Sequence, residues 1–479
     1  MPSIKKNFFY SSILTTANYI FPLLTFPYAS RVLGVTNIGI VNFVDSIIHY
    51  FILVSMMGIN IVGIREIAKS KGNKEQLSKT FSGLFWLNTL TTTIALIVLV
   101  LLTMFVEPLR EHWQMVLIGG FKLIMNYMLI EWLYRGLEEF KYITIRTIAV
   151  KTLYVISVFV FVRGANDYPI YYFLSVMMIV ANSVINLIYS KQYVSFKVTN
   201  VQVFYFVKPF FILGLYNLLN SMYISVNVMW LGFVSGETEV GYYTTASKIY
   251  SILIALFTAF TGVMLPRMSS LIAEGKMDEF RSKLKRAYNL LFTFSIPLII
   301  FTILYTPHII YIISGPGYEG AIIPMRIMMP LMLIIGYEQI LVIQTLMPLK
   351  KDNAILRNSI IGAVTGLVLN IMLVSTYASV GAALVWIGSE LVVLCSAQYF
   401  VSKFVKLDFP WLSLSKMVFL YLPLIILLFL IKAYFNAWYS ILISCGIMLI
   451  YILVGNIVLV PNMEFVSLLR SCKSIINRR

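Results

Sequence analysis

Long apolar runs separated by short polar segments make up most of the chain. The first run extends from Phe8 to Ser30 and the second from Ile38 to Gly63. Each is long enough to cross ~30 Å of hydrocarbon as a helix that rises ~1.5 Å per residue. Backbone groups in lipid have no water to bond, so such runs must be helical. Hydropathy and helix breakers predict fourteen spans, at residues 8–30, 38–62, 81–105, 113–135, 147–163, 168–190, 209–233, 241–266, 287–313, 322–347, 355–376, 380–401, 417–432 and 438–461.

The spans at 147–163 and 417–432 are short, which leaves a count of twelve open. The inner loops 65–80 and 267–286 are charged, and we expect them to form short amphipathic helices on the membrane surface. The outer loops are very short, so no extracytoplasmic domain is expected.

The first helical hairpin has a weaker copy 202 residues later. Gly39 and Arg65 are 26 positions apart, and so are Gly241 and Arg267. A repeated hairpin predicts two structurally related lobes, and many transporters bind their substrate between such lobes. We therefore predict three segments: an N-lobe (1–207), a C-lobe (208–405), and two extra helices with a basic cytoplasmic tail (406–479).

Composition excludes a soluble globular protein. Hydrophobic residues make up 59% of the chain and charged residues 12%, a balance that indicates an all-α polytopic membrane protein. The run after Lys5 and Lys6 is too long for a signal peptide and lacks a cleavage site, so we expect it to be the first span. The cysteines Cys395, Cys445 and Cys472 fit neither a metal site nor a disulfide framework.

Basic residues are concentrated on one side of the predicted topology. Most of the 37 Lys and Arg residues fall on the face that also carries both termini. The positive-inside rule therefore predicts that both termini are cytoplasmic. The net charge of +17 is then explained by topology and by anionic lipid, not by nucleic acid. The opposite face carries Arg31, Arg110, Arg163 and Lys432.

Several ionisable side chains lie inside the predicted spans, where each costs ~2.5–3.5 kcal/mol on insertion scales. Asp45 and His49 are one helical turn apart and share a face. The basic residues within the spans, Lys122, Lys248 and Arg326, fall in the outer half of the membrane together with Arg31. This placement predicts a positively lined cavity suited to an anion. The candidate ligands of a substrate are Arg31, Lys122, Lys248, Arg326 and His49. The candidates for ion coupling or charge pairing are Asp45, Glu338 and Glu390.

Lys248 is the strongest of these candidates because it lies on the repeated hairpin. Arg31 and Arg326 are shallow enough to reach the interface by snorkelling, and the acidic residues can also form structural polar pairs. The sequence contains no P-loop, HExxH, nucleophile elbow or CxxC motif. We therefore predict no catalytic residue, no metal and no cofactor, and the chain is not expected to be an enzyme.

Several motifs resemble those of the Wzx-type O-antigen and capsule flippases. This family is the oligosaccharide flippase branch of the multidrug/oligosaccharidyl-lipid/polysaccharide exporter superfamily. Each motif is short, and their order and spacing carry the resemblance. They are Tyr28–Gly34 followed by Gly39, Gly63–Ala68, Glu131–Glu138, Val240–Tyr243 with Ala246 and Lys248, Leu265–Arg267, Asn370, and Gly381–Leu384.

The resemblance implies two six-helix lobes around a central cation-lined cavity. It also implies alternating-access transport of an undecaprenyl-pyrophosphate-linked oligosaccharide, an O-antigen or capsule repeat unit, to the outer leaflet of the cytoplasmic membrane. In such flippases the head group binds basic residues, here Arg31, Lys122 and Lys248, while the polyprenyl tail stays in membrane lipid. Other polysaccharide-assembly membrane proteins are expected partners, and nucleic acid is not.

Four other functions remain open. A lipid II flippase and a cation-coupled multidrug antiporter share the fold, although an antiporter favours acidic sites over basic ones. A membrane glycosyltransferase or O-antigen polymerase handles related substrates, but a polymerase is expected to carry a large outer loop. A structural scaffold leaves the charges within the membrane unexplained.

Overall fold

The computed structural model describes residues 4–195 and 203–459, and all regular structure in these ranges is helical. The first nine α-helices are α1 (Ile4–Leu33), α2 (Val35–Met56), α3 (Ile59–Ser70), α4 (Lys74–Phe105), α5 (Glu107–Glu111), α6 (Trp113–Tyr127), α7 (Glu131–Gly136), α8 (Phe140–Phe161) and α9 (Tyr168–Ser190). The others are α10 (Val203–Ser235), α11 (Glu237–Ala273), α12 (Met277–Ser314), α13 (Ile322–Met328), α14 (Leu331–Leu341), α15 (Asp352–Val405), α16 (Trp411–Tyr434) and α17 (Ala437–Val454). Residues Val342–Leu346 and Gly455–Leu459 form π-helical turns. The predicted all-α fold is confirmed.

Ten helical segments of the described ranges are long and apolar enough to cross a membrane. The predicted membrane class is therefore confirmed, and the count of fourteen or twelve spans stays a prediction. α15 leaves helical geometry at Ala378 (φ 49°), between the predicted spans 355–376 and 380–401. The predicted basic tail lies in 460–479, outside the described residues.

Two spans predicted as continuous are broken. Within 38–62, the chain leaves the helix at Met57 (φ 25°) before α3 begins. Within 113–135, it does so at Ile130 (φ 39°), which precedes α7. A left-handed conformation is rare for any residue other than glycine, and for a β-branched residue it is an outlier. Hydropathy carries no signal of such a break, which is why the sequence predicted unbroken helices.

The charged inner loops do not form the separate surface helices that we expected. Residues 65–80 and 267–286 are instead the ends of long or adjoining helices, joined by turns at Gly72 (φ 101°) and Gly275 (φ 70°). Glycine adopts these backbone angles without steric cost, so the helices on either side continue up to a tight turn. At the second turn, Lys276 donates a 2.7 Å hydrogen bond to Glu274, which lowers the pKa of that carboxyl.

The repeated hairpin appears as two matching helix corners. α1 and α2 meet at Gly34 (φ 79°), and α10 and α11 meet at Gly236 (φ 83°). The two glycines are 202 positions apart, the same offset that the sequence repeat shows. Because glycine is the residue that tolerates this backbone geometry, the same corner is built twice.

These two corners contact each other through the first turns of α2 and α11. A β-carbon on Gly39 would overlap the carbonyl oxygen of Glu237, and one on Gly241 would overlap that of Val35. Val35 and Glu237 are 202 positions apart, as are the two glycines, so the two contacts are equivalent under the sequence repeat. The hydroxyl oxygens of Thr36 and Thr238 are 2.9 Å apart. We call this set, at the end predicted to be extracytoplasmic, the outer corner contact.

Packing divides the chain into two compact units. Unit 1 comprises Met1–Thr244 with Ile313–Gly317, and unit 2 comprises Thr245–Ile312 with Tyr318–Arg479. In unit 1, α10 packs against α2, α3 and α4; in unit 2, α13 and α14 pack against α15, and α16 packs against α17. The predicted lobes were defined by the sequence repeat, whereas these two units are defined by packing. The boundaries at 207 and 405 stay predictions.

Candidate functional site

An ion pair inside the membrane region joins α2 to α6 in unit 1. The ammonium of Lys122 lies 2.5 Å from a carboxylate oxygen of Asp45. The side chain of Lys122 is 16% exposed and that of Asp45 is 38% exposed. Two opposite charges in contact offset much of the cost of placing either one in the membrane. The pair therefore explains how both residues are tolerated at this depth.

Glycine at position 119 allows the two helices to approach closely enough to form this pair. A β-carbon there would overlap the side chain of Ile48 on α2, and it would lie 2.8 Å from the hydroxyl of Tyr172 on α9. Small residues at helix contacts let backbones approach closely in membranes. Lys122 follows Gly119 by almost one turn, so it faces the same neighbours.

His49 and Tyr172 complete the surroundings of Asp45. His49 lies one turn after Asp45 on α2, is exposed, and interacts electrostatically with Asp45 and Lys122. The buried hydroxyl of Tyr172 lies beside Asp45 without a hydrogen bond of acceptable geometry. We call Asp45, His49 and Lys122 the charged cluster. It combines an anion, a cation and a titratable ring.

A cavity of about 380 Å³ begins at His49 and extends towards the predicted cytoplasmic side of unit 1. Asn126, one turn after Lys122, lines it and donates a hydrogen bond to the sulfur of Met56. We call this space the polar cavity. Its polar lining consists of His49, Asn60, Asn126, Glu131 and Arg135, and its apolar lining of Ile52, Leu53, Met56, Met57, Ile64, Leu129 and Ile130.

Both helix breaks of this region lie in the wall of the polar cavity. Met57 and Ile130, the positive-φ residues at these two breaks, line it. Non-helical backbone at membrane depth persists where protein or a water-filled cavity surrounds it. Backbone strain of this kind also concentrates at functional sites. The breaks redirect the chain so that α3 and α7 line the end of the cavity that is predicted to face the cytoplasm.

Glu131, at the start of α7, is held by two arginines. Arg146 on α8 donates to it at 2.6 Å and also bonds the side chain of Asn186, while Arg135 contacts it at 3.3 Å. The side chain of Arg146 is 3% exposed, and that of Arg135 is 45% exposed. Arg146 is therefore the structural partner, and Arg135 is accessible from the cavity.

Replacing Arg146 with methionine is expected to destabilise unit 1 strongly. Removal of one partner from a buried pair costs about 3–5 kcal/mol because it leaves an uncompensated charge. Arg135→Met is the matched control, since it removes the exposed contact to the same carboxylate and should cost less than about 1 kcal/mol. Thermal unfolding of the purified protein in detergent measures both. Equal losses would contradict the assignment of Arg146 as the structural partner.

The remaining predicted site residues lie elsewhere in their units. In unit 1, Arg31 is exposed in the last turn of α1, with its Cγ 3.1 Å from the position of a β-carbon on Gly315. In unit 2, Lys248 is half-buried on α11 and Arg326 is exposed on α13. Their roles as substrate ligands stay predictions.

The two glutamates predicted as site residues both lie in unit 2 and are near each other. Glu338 on α14 is half-buried, and Glu390 on α15 is buried and accepts a 3.4 Å hydrogen bond from the indole of Trp386. The carboxyl groups interact electrostatically. The structure thus places Asp45 with Lys122, and Glu338 with Glu390. Ion coupling through any of them stays a prediction.

Comparison with known proteins identifies the family. The Polysacc_synt family, described as polysaccharide biosynthesis protein, matches residues 4–272, more than half of the chain. The chain belongs to this family. A second family, MatE, matches residues 213–372. The resemblance to Wzx-type polysaccharide flippases is confirmed.

Two similar proteins are each named "Putative O-antigen transporter". The one from Escherichia coli K12 is 26% identical over 418 residues, covering 83% of this chain and 97% of its own. The one from Shigella dysenteriae is 26% identical over 396 residues, covering 82% and 98%. The family and these relatives indicate a transport protein and not a catalytic enzyme. With the ten apolar helices, they indicate a multi-pass protein of the bacterial inner membrane.

Two solved structures share the fold. The lipid II flippase MurJ in an inward closed conformation matches with a TM-score of 0.77 at 14% identity, covering 94% of this chain and 98% of that one. An inward-facing multidrug MATE transporter matches with a TM-score of 0.61 at 14% identity, covering 83% and 94%. At 14% sequence identity, the similarity to these two structures establishes the fold of this chain and nothing about its substrate.

Two of the motifs that carry the resemblance to Wzx-type flippases pack against each other beside the polar cavity. A β-carbon on Gly63 would lie 2.7 Å from Cε3 of Trp132, and one on Gly136 would lie 2.7 Å from Cγ2 of Ile67. Trp132 is 1% exposed and stacks on Phe81. The motifs Gly63–Ala68 and Glu131–Glu138 therefore position α3 against α7.

Sequence reasoning missed the amides and the tyrosine of this site. Asn126 follows Lys122 by four residues, and that spacing on a predicted span would have placed both on one face. Asn60 and Tyr172 carried no such signal, because their proximity to the cavity and to Asp45 depends on helix packing.

Proposed function

We propose that this member of the polysaccharide biosynthesis family is a flippase for an undecaprenyl-pyrophosphate-linked oligosaccharide, an O-antigen or capsule repeat unit. It would move the glycolipid from the inner to the outer leaflet by alternating access. The observation that carries the proposal is the polar cavity of unit 1 ending at the charged cluster. The family and the two named relatives support transport of a lipid-linked polysaccharide.

Lys122 is the proposed contact for the pyrophosphate in unit 1. Its ammonium pairs with Asp45, and an incoming pyrophosphate competes with that carboxylate for the same donors. The amides of Asn60 and Asn126 and the guanidinium of Arg135 line the cavity below. Such groups match the hydroxyls of a sugar, and the volume lies within the range of small-molecule sites. Further proposed head-group contacts are Arg31, His49, Lys248 and Arg326.

Substrate binding by Lys122 has a consequence for Asp45. Once the ammonium of Lys122 binds the pyrophosphate instead of Asp45, the carboxylate loses its partner at a depth where a lone charge is costly. Uptake of a proton removes that cost, and His49 one turn away supplies a titratable neighbour. Glu338 and Glu390 form a pair of acidic residues in unit 2. We propose these three carboxyls as the candidates for ion coupling.

Alternating access requires the outer corner contact to open. Its glycines allow close backbone contact, and Glu237 accepts a 2.8 Å hydrogen bond from the ring of His112 at the same end. The nearest described atoms at the two glycines are mainly backbone atoms, together with Cγ2 of Val35 beside Gly241. An inner leaflet substrate binds while the contact is closed, and it leaves when α2 and α11 separate there.

The membrane potential favours export of an anion. A cytoplasm-negative potential contributes ~2.3 kcal/mol per charge per 100 mV. A pyrophosphate with about two charges gains on the order of 4–5 kcal/mol by the same rule. With Asp45 protonated, the site left after release of the substrate is positive, and the same field draws it back inward.

Reconstitution into liposomes with a fluorescent undecaprenyl-pyrophosphate oligosaccharide tests this function. We expect leaflet exchange that becomes faster with an inside-negative potential, for molecules whose cytoplasmic face is inside. Preferred exchange of lipid II would favour the peptidoglycan alternative. Proton- or sodium-driven movement of a cationic dye, without glycolipid exchange, would overturn the proposal and favour a drug antiporter.

A further inference from the structure

Three basic side chains come together at one end of unit 2. Lys432 lies in the last turn of α16, Arg326 on α13 and His308 near the end of α12. Lys432 interacts electrostatically with both Arg326 and His308. Among the described residues, neither Arg326 nor Lys432 has a carboxylate within ion-pair distance. The positive charges of Arg326 and Lys432 therefore repel each other, and a bound anion would relieve that repulsion.

The donors of this cluster are only partly used. The ammonium of Lys432 donates a 2.7 Å hydrogen bond to the carbonyl of Leu304 and lies 5.9 Å from the ring centre of Tyr305. An ammonium has three donors, so two remain. Arg326 is exposed, and its guanidinium offers paired donors that suit phosphate oxygens.

A small cavity beside the cluster contains a polar atom without a partner. Nδ1 of His308 is buried and makes no hydrogen bond among the described residues. Buried polar atoms are nearly always bonded, so an unpaired one calls for an explanation. The cavity has a volume of about 170 Å³ and is lined by Pro307, His308, Tyr311, Ile312, Trp438 and Ile441.

Exposed aromatic residues place this end at the level of lipid head groups. Tyr434 is 82% exposed, Trp438 60% and Tyr311 57%. Tyrosine and tryptophan concentrate at the membrane–water interface, where one end of the ring is apolar and the other is wet. The tight connection from α16 to α17 holds Lys432 near Trp438 in the chain. The unpaired cations thus lie where lipid phosphates lie.

We propose that Arg326, Lys432 and His308 form a binding site for the phosphate of a lipid in the outer leaflet, with its chains against Trp438 and Tyr311. The phosphate belongs either to a phospholipid or to the exported glycolipid. The site gives the last two described helices a role in binding lipid. Arg326 is also one of the proposed head-group contacts of the flippase, but the two proposals are tested separately, because lipid binding is measured without transport.

Native mass spectrometry of the full chain in detergent tests the site with three lipids that share acyl chains. They are phosphatidylglycerol, phosphatidylethanolamine and diacylglycerol. We expect retention of the two phosphate lipids, and at least about a tenfold loss of bound phosphatidylglycerol in R326Q/K432Q. The matched control R110Q/R163Q, which removes two other cations of the predicted outer face, should stay within about twofold of wild type.

The charge-conserving variant R326K/K432R guards against a folding defect and is expected to keep most of the bound lipid. Displacement of phosphatidylglycerol by undecaprenyl pyrophosphate would identify the glycolipid as an occupant, and failure to displace it would assign the site to phospholipid. Equal retention of diacylglycerol, or unchanged binding by a folded R326Q/K432Q, would overturn the site. Displacement by equimolar inorganic phosphate would overturn the lipid assignment.

Discussion

Lys122→Ala is expected to reduce glycolipid exchange by at least about tenfold. A loss of 1.4 kcal/mol in binding or in a rate-limiting barrier corresponds to about tenfold, and a charge-assisted contact to pyrophosphate contributes more than that. The variant also leaves Asp45 without its 2.5 Å partner. That defect costs on the order of 3 kcal/mol of stability, at the low end of the range for broken pairs because Asp45 is partly exposed. A fall in exchange alone therefore does not separate binding from folding.

The double variant Lys122→Met with Asp45→Leu separates the two effects. Removing both charges and keeping similar volume is often neutral for stability or favourable, so we expect its unfolding temperature to return to about that of wild type. Exchange should stay low because no ammonium remains for the pyrophosphate. If the double variant transports at the wild-type rate, Lys122 is a structural residue and the charged cluster is not the head-group site.

Gly39→Leu is expected to open the outer corner contact. The new β-carbon would overlap the carbonyl oxygen of Glu237 and lie 3.1 Å from the amide nitrogen of Gly241. Both are backbone atoms, so relief requires movement of a helix and not of a side chain. Gly262→Leu is the matched control, because a β-carbon on this glycine of α11 meets no atom of the described residues within 4 Å.

Labelling of a cysteine at position 240 by an impermeant maleimide measures this opening, after replacement of the three native cysteines. Val240 is buried in the first turn of α11, next to Gly241. We expect labelling to be slow in the parent protein, at least about tenfold faster with Gly39→Leu, and unchanged with Gly262→Leu. Glycolipid exchange should also fall in Gly39→Leu, since a protein that cannot close at this end cannot complete the transport cycle. Fast labelling of the parent itself would show that the contact is open in the membrane.

A reducible cross-link gives the opposite perturbation. Thr36 and Thr238 are hydrogen-bonded side chain to side chain, so cysteines at both positions should form a disulfide under oxidation. The cross-linked protein is expected to lose exchange and to regain it with a reductant. Full exchange in the cross-linked state would show that transport does not require the outer corner contact to open.

The charged residues illustrate how far the sequence led towards the site. The one-turn spacing of Asp45 and His49 placed both on one face of α2, and the structure confirms that they interact. Lys122 was recognised as a cation at depth, but its partner could not be named. Asp45 is 77 positions away, and the contact exists because Gly119 lets α6 approach α2. The roles of Lys248, Arg31 and Arg326 remain to be tested.

The sequence by itself determined the properties that depend on local chemistry. Apolar runs in lipid must be helical because their amides have no other partner, and the recurrence of the Gly39 to Arg65 spacing at Gly241 to Arg267 predicted a second copy of the first hairpin. Tertiary structure decided which helices meet. Apolar helices are equally well solvated by lipid in many arrangements, so the Asp45–Lys122 pair, the helix breaks at Met57 and Ile130, and the polar cavity between them depend on how small residues let particular backbones pack.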